Sequence, residues 1–326
     1  TDYITLYGIY GIGLNAPVIT NNEVFNMISD DSKYGIYFST NVHDAVISKN
    51  KIHTFNVDAS TSTSLYSIGI YFSSATGNTN NQIDNNAIYN LNYYGSTSLS
   101  YYNVGIRLVG GSGYKIYYNS VSMTGTPGNP ASGIMSTCLY IGSTAATNID
   151  MRNNIFYNAR TGTVPVNYVI YTVASTTFSA LNYNDYYTTG SVFGYSGGTS
   201  VTDYAAWVTA SGEGANSKNV NPQFNSATNL QPLLGSPVLA QGTPIAGLTT
   251  DITDIPRSGT VPSMGAYENG VDATGPTIEY TALSNTSLTS DRTLTATITD
   301  VSGVPTSGDG LPRLYWKINA GAYSSV

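Results

Sequence analysis

A six-residue phrase that occurs three times constrains the fold of this chain more than any other feature. It reads NNEVFN at 21–26, NNAIYN at 85–90 and NNIFYN at 153–158. Aligning the chain on the second asparagine of this phrase gives six equivalent positions: Asn22, Asn50, Asn86, Asn119, Asn154 and Asn184. Neighbouring positions are separated by as few as 28 residues (22 to 50) and as many as 36 (50 to 86). A period of this size is typical of solenoids and propellers.

Apolar residues keep fixed distances from these asparagines. Three positions before them stand Ile19, Ile47, Ile83, Ile116, Met151 and Leu181, and two positions after them stand Val24, Ile52, Ile88, Val121, Phe156 and Tyr186. A second register lies upstream, where Gly8, Gly35, Gly69, Gly105, Cys138 and Val169 precede Ile9, Ile36, Ile70, Ile106, Leu139 and Ile170. The leucine framework of leucine-rich repeats, helical periodicity and a six-residue period are all missing, so the pattern predicts a parallel β-helix.

In such a coil the aliphatic rows fill the interior, where each Ile or Val contributes about 1.5–3 kcal/mol relative to exposure. Asparagine suits a corner between two strands because it tolerates left-handed backbone conformations. Its amide can also bond to the equivalent asparagine about 4.8 Å away on the next turn. The six aligned asparagines are therefore predicted to form a structural ladder.

This repeat pattern and the residues that follow it resemble a known family. Residues 8–190 look like the right-handed parallel β-helix repeats of the pectate-lyase-like superfamily. Four later stretches are similar to a C-terminal closing segment of large secreted bacterial β-helix proteins: DYAAWVTASGEGANSKNVNPQF (203–224), NLQPLLGSPVL (229–239), TDITDIPRSG (250–259) and MGAYE (264–268). The resemblance implies a cap on the open end of the coil. It also implies that Asp251, Asp254, Arg257 and Glu268 hold this cap by ion pairs and hydrogen bonds, and that DYAAWV makes one short helical turn.

The predicted fold class is all-β, with a right-handed parallel β-helix of about six or more coils followed by a partial β-sandwich. The coils are assigned to 1–192, the capping segment to 193–271, and an incomplete immunoglobulin-like sandwich to 272–326. Alternating β-branched residues in TLTATITD (293–300) carry the last assignment. A complete sandwich needs about 100 residues. We therefore expect both ends to be cut from a larger secreted chain.

Composition limits the partners. The formal charge of −7 and the scattered distribution of 12 Lys and Arg predict no nucleic-acid partner.

Cys138 is the one cysteine, so an internal disulfide framework and a cysteine-based metal cage are excluded, and we expect a packed free thiol. No apolar run reaches the roughly 18 residues that a membrane span requires. No cofactor or metal is predicted. Ca²⁺ stays open because the stretch DVSGVPTSGDG (300–310) is acidic, but this stretch lacks the regular spacing of a calcium loop.

The sequence lacks the catalytic signatures of known β-helix enzymes. Neither His43 nor His53 is flanked by glycines, as polygalacturonase-like hydrolases would require. The Trp-x-Asp-His and Arg-x-Pro-x-x-Arg phrases of pectate lyases are absent. No catalytic residue is predicted, and the sequence favours a non-enzymatic chain without excluding an enzyme.

The residue after each aliphatic position of the second register should point outward, because side chains alternate along a strand. This row is Tyr10, Tyr37, Tyr71, Arg107, Tyr140 and Tyr171. Aromatic rings with polar edges suit sugar binding, and Arg107 could pair with a uronic-acid carboxylate. Alternatively, the tyrosines stack for stability, at about 0.2–1 kcal/mol per pair. A second outward row, interrupted by Ser122, consists of Phe25, His53, Tyr89 and Tyr157.

The sequence thus predicts a non-enzymatic structural or adhesive module of a large extracellular bacterial surface protein or filament. The tyrosine and arginine row would contact carbohydrate. The alternative is a polysaccharide lyase or glycoside hydrolase acting on an extracellular polysaccharide. Expected partners are an extracellular polysaccharide, copies of the chain itself or neighbouring domains of the same chain. The expected location is extracellular or on the bacterial cell surface.

Overall fold

The computed structural model describes residues 6–29, 31–58, 66–94, 102–125, 135–161, 166–174, 178–272, 275–300, 303–307 and 311–325. Two compact units make up the chain, Thr1–Gly270 and Val271–Val326. The boundary predicted at residue 192, inside the first unit, stays a prediction.

The first unit is a parallel β-solenoid in which three strands follow one another and then repeat. In chain order the strands are β1 (Tyr7–Gly11), β2 (Val18–Thr20), β3 (Glu23–Ser29), β4 (Lys33–Thr40), β5 (Val46–Ser48), β6 (Lys51–Asp58), β7 (Tyr66–Asn78), β8 (Gln82–Asp84), β9 (Ala87–Tyr94), β10 (Tyr102–Ser112), β11 (Lys115–Tyr117), β12 (Ser120–Met123), β13 (Met135–Ile141), β14 (Ile149–Arg152), β15 (Ile155–Asn158), β16 (Asn167–Thr172), β17 (Phe178–Asn182) and β18 (Asp185–Thr188).

Every third strand joins the same sheet. Sheet one has the order β1-β4-β7-β10-β13-β16, sheet two β2-β5-β8-β11-β14-β17 and sheet three β3-β6-β9-β12-β15-β18. Sheet one continues with β19 (Gly194–Ser196) and the antiparallel β20 (Thr199–Val201). The predicted all-β parallel solenoid is confirmed. The solenoid has about four turns, β4 to β15, that have a neighbouring turn on both sides. This number is slightly smaller than the predicted six or more coils, because the outer strand sets lie at the ends of the solenoid.

One aliphatic row shows how the sequence period produces the core. Ile36 aligns with Ile70, and Ile70 aligns with Ile106, in the parallel register of sheet one. The row continues through Leu139 to Ile170, and all five side chains are fully buried. The period therefore places one branched or large aliphatic side chain above the next along the interior.

Glycine is favoured at the positions before this row because a side chain there would collide with neighbouring atoms. A Cβ atom built on Gly69 would lie 2.6 Å from the carbonyl oxygen of Gly105 and 2.6 Å from Ile88 Cγ2. Cys138 takes the equivalent position two turns after Gly69, where its side chain is fully buried in the core and its Sγ lies 3.9 Å from Val121 O. Burial raises the pKa of the Cys138 thiol, so the residue is a packed neutral thiol, as predicted.

The corner between the second and third strand of every strand set contains two residues, from 21–22 between β2 and β3 to 183–184 between β17 and β18. The second residue is always the ladder asparagine. The first has a left-handed backbone, with φ between 53° and 63°, and is Asn21, Lys49, Asn85, Tyr118, Asn153 or Tyr183. The prediction that the ladder asparagine itself supplies the left-handed conformation is therefore wrong. The backbone bends one residue earlier, so the ladder position needs only the side-chain amide.

The corner between the third strand and the next turn has no fixed length. It spans three residues between β3 and β4 (30–32) and eleven between β12 and β13 (124–134). Much of the variation in repeat length therefore falls at this corner.

A short helix closes the interior after the last turn. Helix α1 (Tyr204–Ser211) begins after Asp203, whose side chain accepts a hydrogen bond from Ala206 N, and ends at Gly212 with φ of 74°. Its Trp207 is fully buried and contacts Phe178 of the solenoid, with 6.3 Å between ring centroids. The predicted single helical turn is thus an eight-residue helix. Within the described ranges, no helix has the length and apolar character of a membrane span.

Residues 220–270, here called the lateral segment, lie along the side of the solenoid. They include the antiparallel pair β21 (Phe224–Ser226) and β22 (Asn229–Pro232). Ala266 N donates to Ser120 Oγ at 2.9 Å, and Tyr118 Oη donates to Thr243 O at 2.8 Å. The predicted cap over the open end therefore applies to α1. The lateral segment instead covers a side face, because it hydrogen-bonds to corner and sheet-three residues of several turns.

The four charged residues assigned to the closing segment do hold it in place. Arg257 Nη1 lies 3.1 Å from Glu268 Oε2. Asp251 Oδ1 accepts from the backbone of Thr253 and Ile255, and its Oδ2 accepts from Glu268 N. Asp254 pairs with Lys49 of the solenoid at 2.5 Å. The predicted structural role of this cluster is confirmed.

The second unit contains two small antiparallel sheets. One pairs β23 (Thr277–Tyr280) with β24 (Ala296–Thr299), and the other pairs β25 (Tyr315–Trp316) with β26 (Ser324–Ser325). None of the residues that the structure describes in this unit is buried. The immunoglobulin-like assignment therefore stays a prediction.

Candidate functional site

The outer surface of sheet one carries a continuous column of side chains. Parallel register aligns the predicted residues Tyr10, Tyr37, Tyr71, Arg107, Tyr140 and Tyr171, and adds Tyr195 from β19. We call these seven residues the tyrosine column. Its members are half-buried, apart from Tyr10, which is exposed. The structure thus brings the six predicted residues together, while sugar binding by them stays a prediction.

The rings of the column stack on one another. Ring centroids are 5.0 Å apart between Tyr37 and Tyr71, 4.7 Å between Tyr140 and Tyr171, and 4.5 Å between Tyr171 and Tyr195. The last two pairs are nearly parallel, with interplanar angles of 8° and 6°. Because these ring faces contact each other, the column presents mainly ring edges and phenol hydroxyls to a ligand.

Arg107 replaces a tyrosine in the middle of the column without breaking it. Its Cζ lies 4.8 Å from the ring centroid of Tyr71 and 5.0 Å from that of Tyr140. A guanidinium stacked between two rings gains about 0.5–2 kcal/mol per cation–π contact. The column therefore carries one fixed positive charge near its centre.

Further tyrosines widen the column on one side. The Tyr7 ring lies 5.1 Å from Tyr37, and the Tyr34 ring lies 5.8 Å from Tyr71. Tyr168 contacts Tyr171 edge-on at 5.7 Å. Sequence reasoning missed these flanking rings. The signal was present, since each of the three stands three positions before a column tyrosine.

The phenols of the column can donate and accept hydrogen bonds. Burial raises the pKa of Tyr71, an effect that the nearby Arg107 charge partly offsets. Burial likewise raises the pKa of Tyr34. Tyr37 Oη donates to Ser73 Oγ at 2.9 Å. A surface of neutral hydroxyls around one guanidinium can hydrogen-bond a hydroxyl-rich chain and attract a carboxylate at its centre.

The second outward row lies on sheet three and is partly covered. His53 stacks on Phe25 at 5.5 Å and on Tyr89 at 4.6 Å, and Tyr157 stacks on Tyr187 at 5.4 Å. Tyr89 is only 7% exposed, because Leu230, Ile252 and Tyr267 of the lateral segment pack in one cluster with it. Tyr89 therefore faces outward from sheet three, in line with His53 as predicted, but the lateral segment covers it.

The asparagine ladder is confirmed as a structural feature. Each Nδ2 donates to the Oδ1 of the asparagine one turn later, at 2.9–3.0 Å, along Asn22, Asn50, Asn86, Asn119, Asn154 and Asn184. The ladder ends where Asn184 N donates to Ser217 Oγ at 2.9 Å. These amides satisfy buried backbone groups and leave no role for a ligand.

No metal site is assembled by the residues that the structure describes: they contain no group of three or more His, Cys, Asp or Glu side chains suited to a metal ion. Part of the acidic stretch considered for Ca²⁺, namely 301–302 and 308–310, lies outside the described residues.

Comparison of the sequence with protein-family models finds no match, and a search among curated proteins finds none either.

Proposed function

We propose that the chain is a non-enzymatic structural and adhesive module of a large extracellular bacterial surface protein or filament. In this role the tyrosine column contacts an extracellular polysaccharide. The observation that carries the proposal is the continuity of the column across seven aligned strands of sheet one. A surface that repeats with every turn suits a ligand that is itself a polymer.

Stiffness supports the structural part of the proposal. Every turn is tied to the next by backbone pairing in three sheets, by buried aliphatic rows and by the asparagine ladder. The column adds ring stacking on the outside. With a strand spacing of about 4.8 Å, its seven members span roughly 29 Å. Such a coil keeps its surface groups at fixed spacings.

Charge and hydroxyl chemistry support the adhesive part. The column offers neutral phenol edges, which hydrogen-bond sugar hydroxyls, around the single guanidinium of Arg107. A carboxylate-bearing sugar, such as a uronic acid, fits this arrangement best, because the guanidinium can pair with its carboxylate. The rest of the surface contributes little attraction for a carboxylate-bearing sugar, since the formal charge of the chain is −7.

The wider context rests on the sequence resemblance. The solenoid, helix α1 and the charged cluster around Arg257 are consistent with the pectate-lyase-like superfamily and its closing segment. We propose on this basis that the chain is exported and that residues 272–326 belong to an immunoglobulin-like sandwich. Copies of the chain or neighbouring domains of the same chain are the other proposed partners.

A polysaccharide panel tests the proposal. The full chain is incubated with acidic and neutral polysaccharides, and both retention and released products are measured. We expect retention on an acidic polysaccharide without new reducing ends or unsaturated products. Arg107→Gln should weaken it about tenfold, equivalent to about 1.4 kcal/mol, whereas Tyr280→Ala, an exposed tyrosine of the second unit, should have no effect.

Two results would overturn the proposal. Released products that disappear in Arg107→Gln would establish the alternative, a polysaccharide lyase or glycoside hydrolase. Retention on none of the polysaccharides, or equal retention of the wild type and Arg107→Gln, would remove the adhesive role of the column.

A further inference from the structure

A cleft lies between sheet three and the lateral segment, on a different sheet from the tyrosine column. Its volume is about 240 Å³. Eight described residues line it, among them Ser122, Thr124, Tyr157, Asn221, Gln223 and Phe224. None of the eight is charged, and six of them carry a polar side-chain group.

The cleft exists because Ser122 interrupts an aromatic row. In the register of sheet three, Ser122 aligns with Tyr89 on one side and with Tyr157 on the other. Tyr89 stacks on His53, and Tyr157 stacks on Tyr187, so each aromatic neighbour is supported from the side away from Ser122. Two strand spacings of about 4.8 Å separate the flanking positions. The serine therefore leaves a space where a further ring would otherwise stand.

An aromatic corner bounds this space. The rings of Tyr157 and Phe224 lie 5.6 Å apart, with an interplanar angle of 71°. Phe224 belongs to β21, so the lateral segment supplies one wall and the solenoid supplies the other. Two nearly perpendicular rings offer apolar surface in two directions, which suits a compact ligand with an apolar side.

The hydroxyl of Ser122 is an independent sign of a missing polar partner. The residue is 1% exposed, and its Oγ has no hydrogen-bond partner among the residues that the structure describes. A buried hydroxyl without a partner costs about 1–3 kcal/mol. Ser122 therefore shapes the cleft from below its surface, and the polar groups open to a ligand belong to Thr124, Asn221 and Gln223.

We propose that this cleft binds one neutral sugar unit of a glycan. The ring of the sugar packs against Tyr157 and Phe224, and its hydroxyl groups bond to Thr124 and to the amides of Asn221 and Gln223. A volume of 240 Å³ lies below the roughly 300–1,000 Å³ of pockets for drug-sized ligands, which indicates a small ligand. Since none of the described residues that line the cleft is charged, a neutral sugar is favoured over a uronic acid or a phosphate.

The site is separate from the tyrosine column and does not depend on it. The column carries the charge of Arg107 and faces outward from sheet one, whereas the cleft is uncharged and lies on sheet three. Variants of one surface should therefore leave the other unchanged.

Saturation-transfer NMR on the full chain tests the proposal, with the methyl glycosides of glucose, galactose, mannose and N-acetylglucosamine as probes. We expect transfer to at least one probe, with affinity reduced tenfold or more by Gln223→Ala, which removes a polar group at an exposed position. Ser122→Tyr should abolish transfer by filling the cleft. The matched control is Gln231→Ala, on the same strand pair but outside the cleft.

Transfer to none of the four probes would overturn the proposal. So would transfer that both cleft variants leave unchanged, or a loss that occurs equally in Gln231→Ala. If Ser122→Tyr does not fold, Gln223→Ala alone decides. Arg107→Gln should bind the neutral probe normally, so a failure of the cleft and a failure of the column are distinguishable.

Discussion

At the residue scale, each ladder asparagine satisfies several buried groups at once. Asn119 Nδ2 donates to Asn154 Oδ1 at 2.9 Å and to the carbonyl oxygens of Ile83 and Tyr117 at 2.9 and 3.1 Å. Its Oδ1 accepts from the backbone and side-chain nitrogens of Asn86, at 3.1 and 2.9 Å. One side chain thus connects three consecutive turns.

Replacing Asn119 by alanine should destabilise the solenoid strongly. The change removes the Asn119 acceptor of the buried Asn86 N and the Asn119 donor to the Ile83 carbonyl oxygen, at about 1–3 kcal/mol for each group left without a partner. Asn22→Ala is the matched control, because Asn22 is only half-buried and lies in the first turn. Urea denaturation followed by circular dichroism should show a much larger drop in the midpoint for Asn119→Ala. Equal drops would contradict the ladder as a source of stability.

The ladder ends beside a buried acid whose pKa makes stability depend on pH. Glu213 accepts hydrogen bonds from Tyr186 Oη at 2.7 Å, from Trp207 Nε1 at 3.1 Å and from Ser217 Oγ. Burial raises the pKa of Glu213, although these hydrogen bonds act in the opposite direction. Between the ordinary and the raised pKa the folded state holds a proton that the unfolded state has lost. Stability therefore falls as the pH rises through this window.

Glu213→Gln should reduce this pH dependence. The amide does not ionise, so the loss of stability between the ordinary carboxyl pKa and the raised value disappears from the variant. Burial also raises the pKa of Asp84 and Asp185, and their contribution remains in both proteins. Melting temperatures recorded from about pH 4 to about pH 8 should fall less steeply in the variant. A slope as steep as that of the wild type would contradict the assignment.

At the element scale, the lateral segment and two corners of the solenoid are joined by a buried arginine. Arg257 Nη2 donates to Asn85 Oδ1 at 2.7 Å and to Gly265 O at 2.8 Å, and Nη1 donates to Glu268 Oε2 at 3.1 Å. Its Cζ lies 3.9 Å from the ring centroid of Tyr118. One side chain therefore contacts two corners of the solenoid and two residues of the segment.

Arg257→Gln should loosen the lateral segment. The side chain of Glu268 is 8% exposed, so losing its partner leaves a buried charge unpaired, at about 3–5 kcal/mol. Arg152→Gln is the matched control, because its pair with Asp150 is more exposed and should contribute about 0–1 kcal/mol. Limited proteolysis should cut within 220–270 much faster in Arg257→Gln alone. Equal rates in both variants would show that Arg257 does not hold the segment.

The sequence predicts the elements that repeat and misses those that do not. Ile36, Ile70 and Ile106 share one environment, so their period reveals the strand and its buried face. The docking of Arg257 on Asn85 joins residues 172 positions apart and has no period. For the same reason the burial of Tyr89 under the lateral segment was not predictable from its row. Tyr195 joins the column after the last ladder asparagine, where no further repeat marks it.

At the scale of the whole molecule, the features that stabilise the solenoid belong to one unit. The buried aliphatic rows, the asparagine ladder, α1 and the lateral segment all lie within Thr1–Gly270. None of the described residues of Val271–Val326 is buried. The first unit therefore contains its own hydrophobic core and its own closing helix.

A fragment of residues 1–270 should fold and melt as the full chain does. We expect the main thermal transition, followed by circular dichroism, at the same temperature in both proteins, because the core and the ladder are unchanged. Urea midpoints provide the control measurement. A clear drop in the melting temperature of the fragment would show that residues 271–326 stabilise the solenoid.

Two of the three corners in each turn, the one before the third strand and the one after it, have different consequences for how such a chain can evolve. One extra residue in the two-residue corner beside the ladder would displace an amide from its neighbours and reverse which side chains of the next strand face inward. The corner before each new turn already accepts three to eleven residues. Insertions are therefore tolerated along one edge of the molecule and selected against along another. Descendants of this protein should differ in loop length, and acquire new binding surfaces, on that permissive edge.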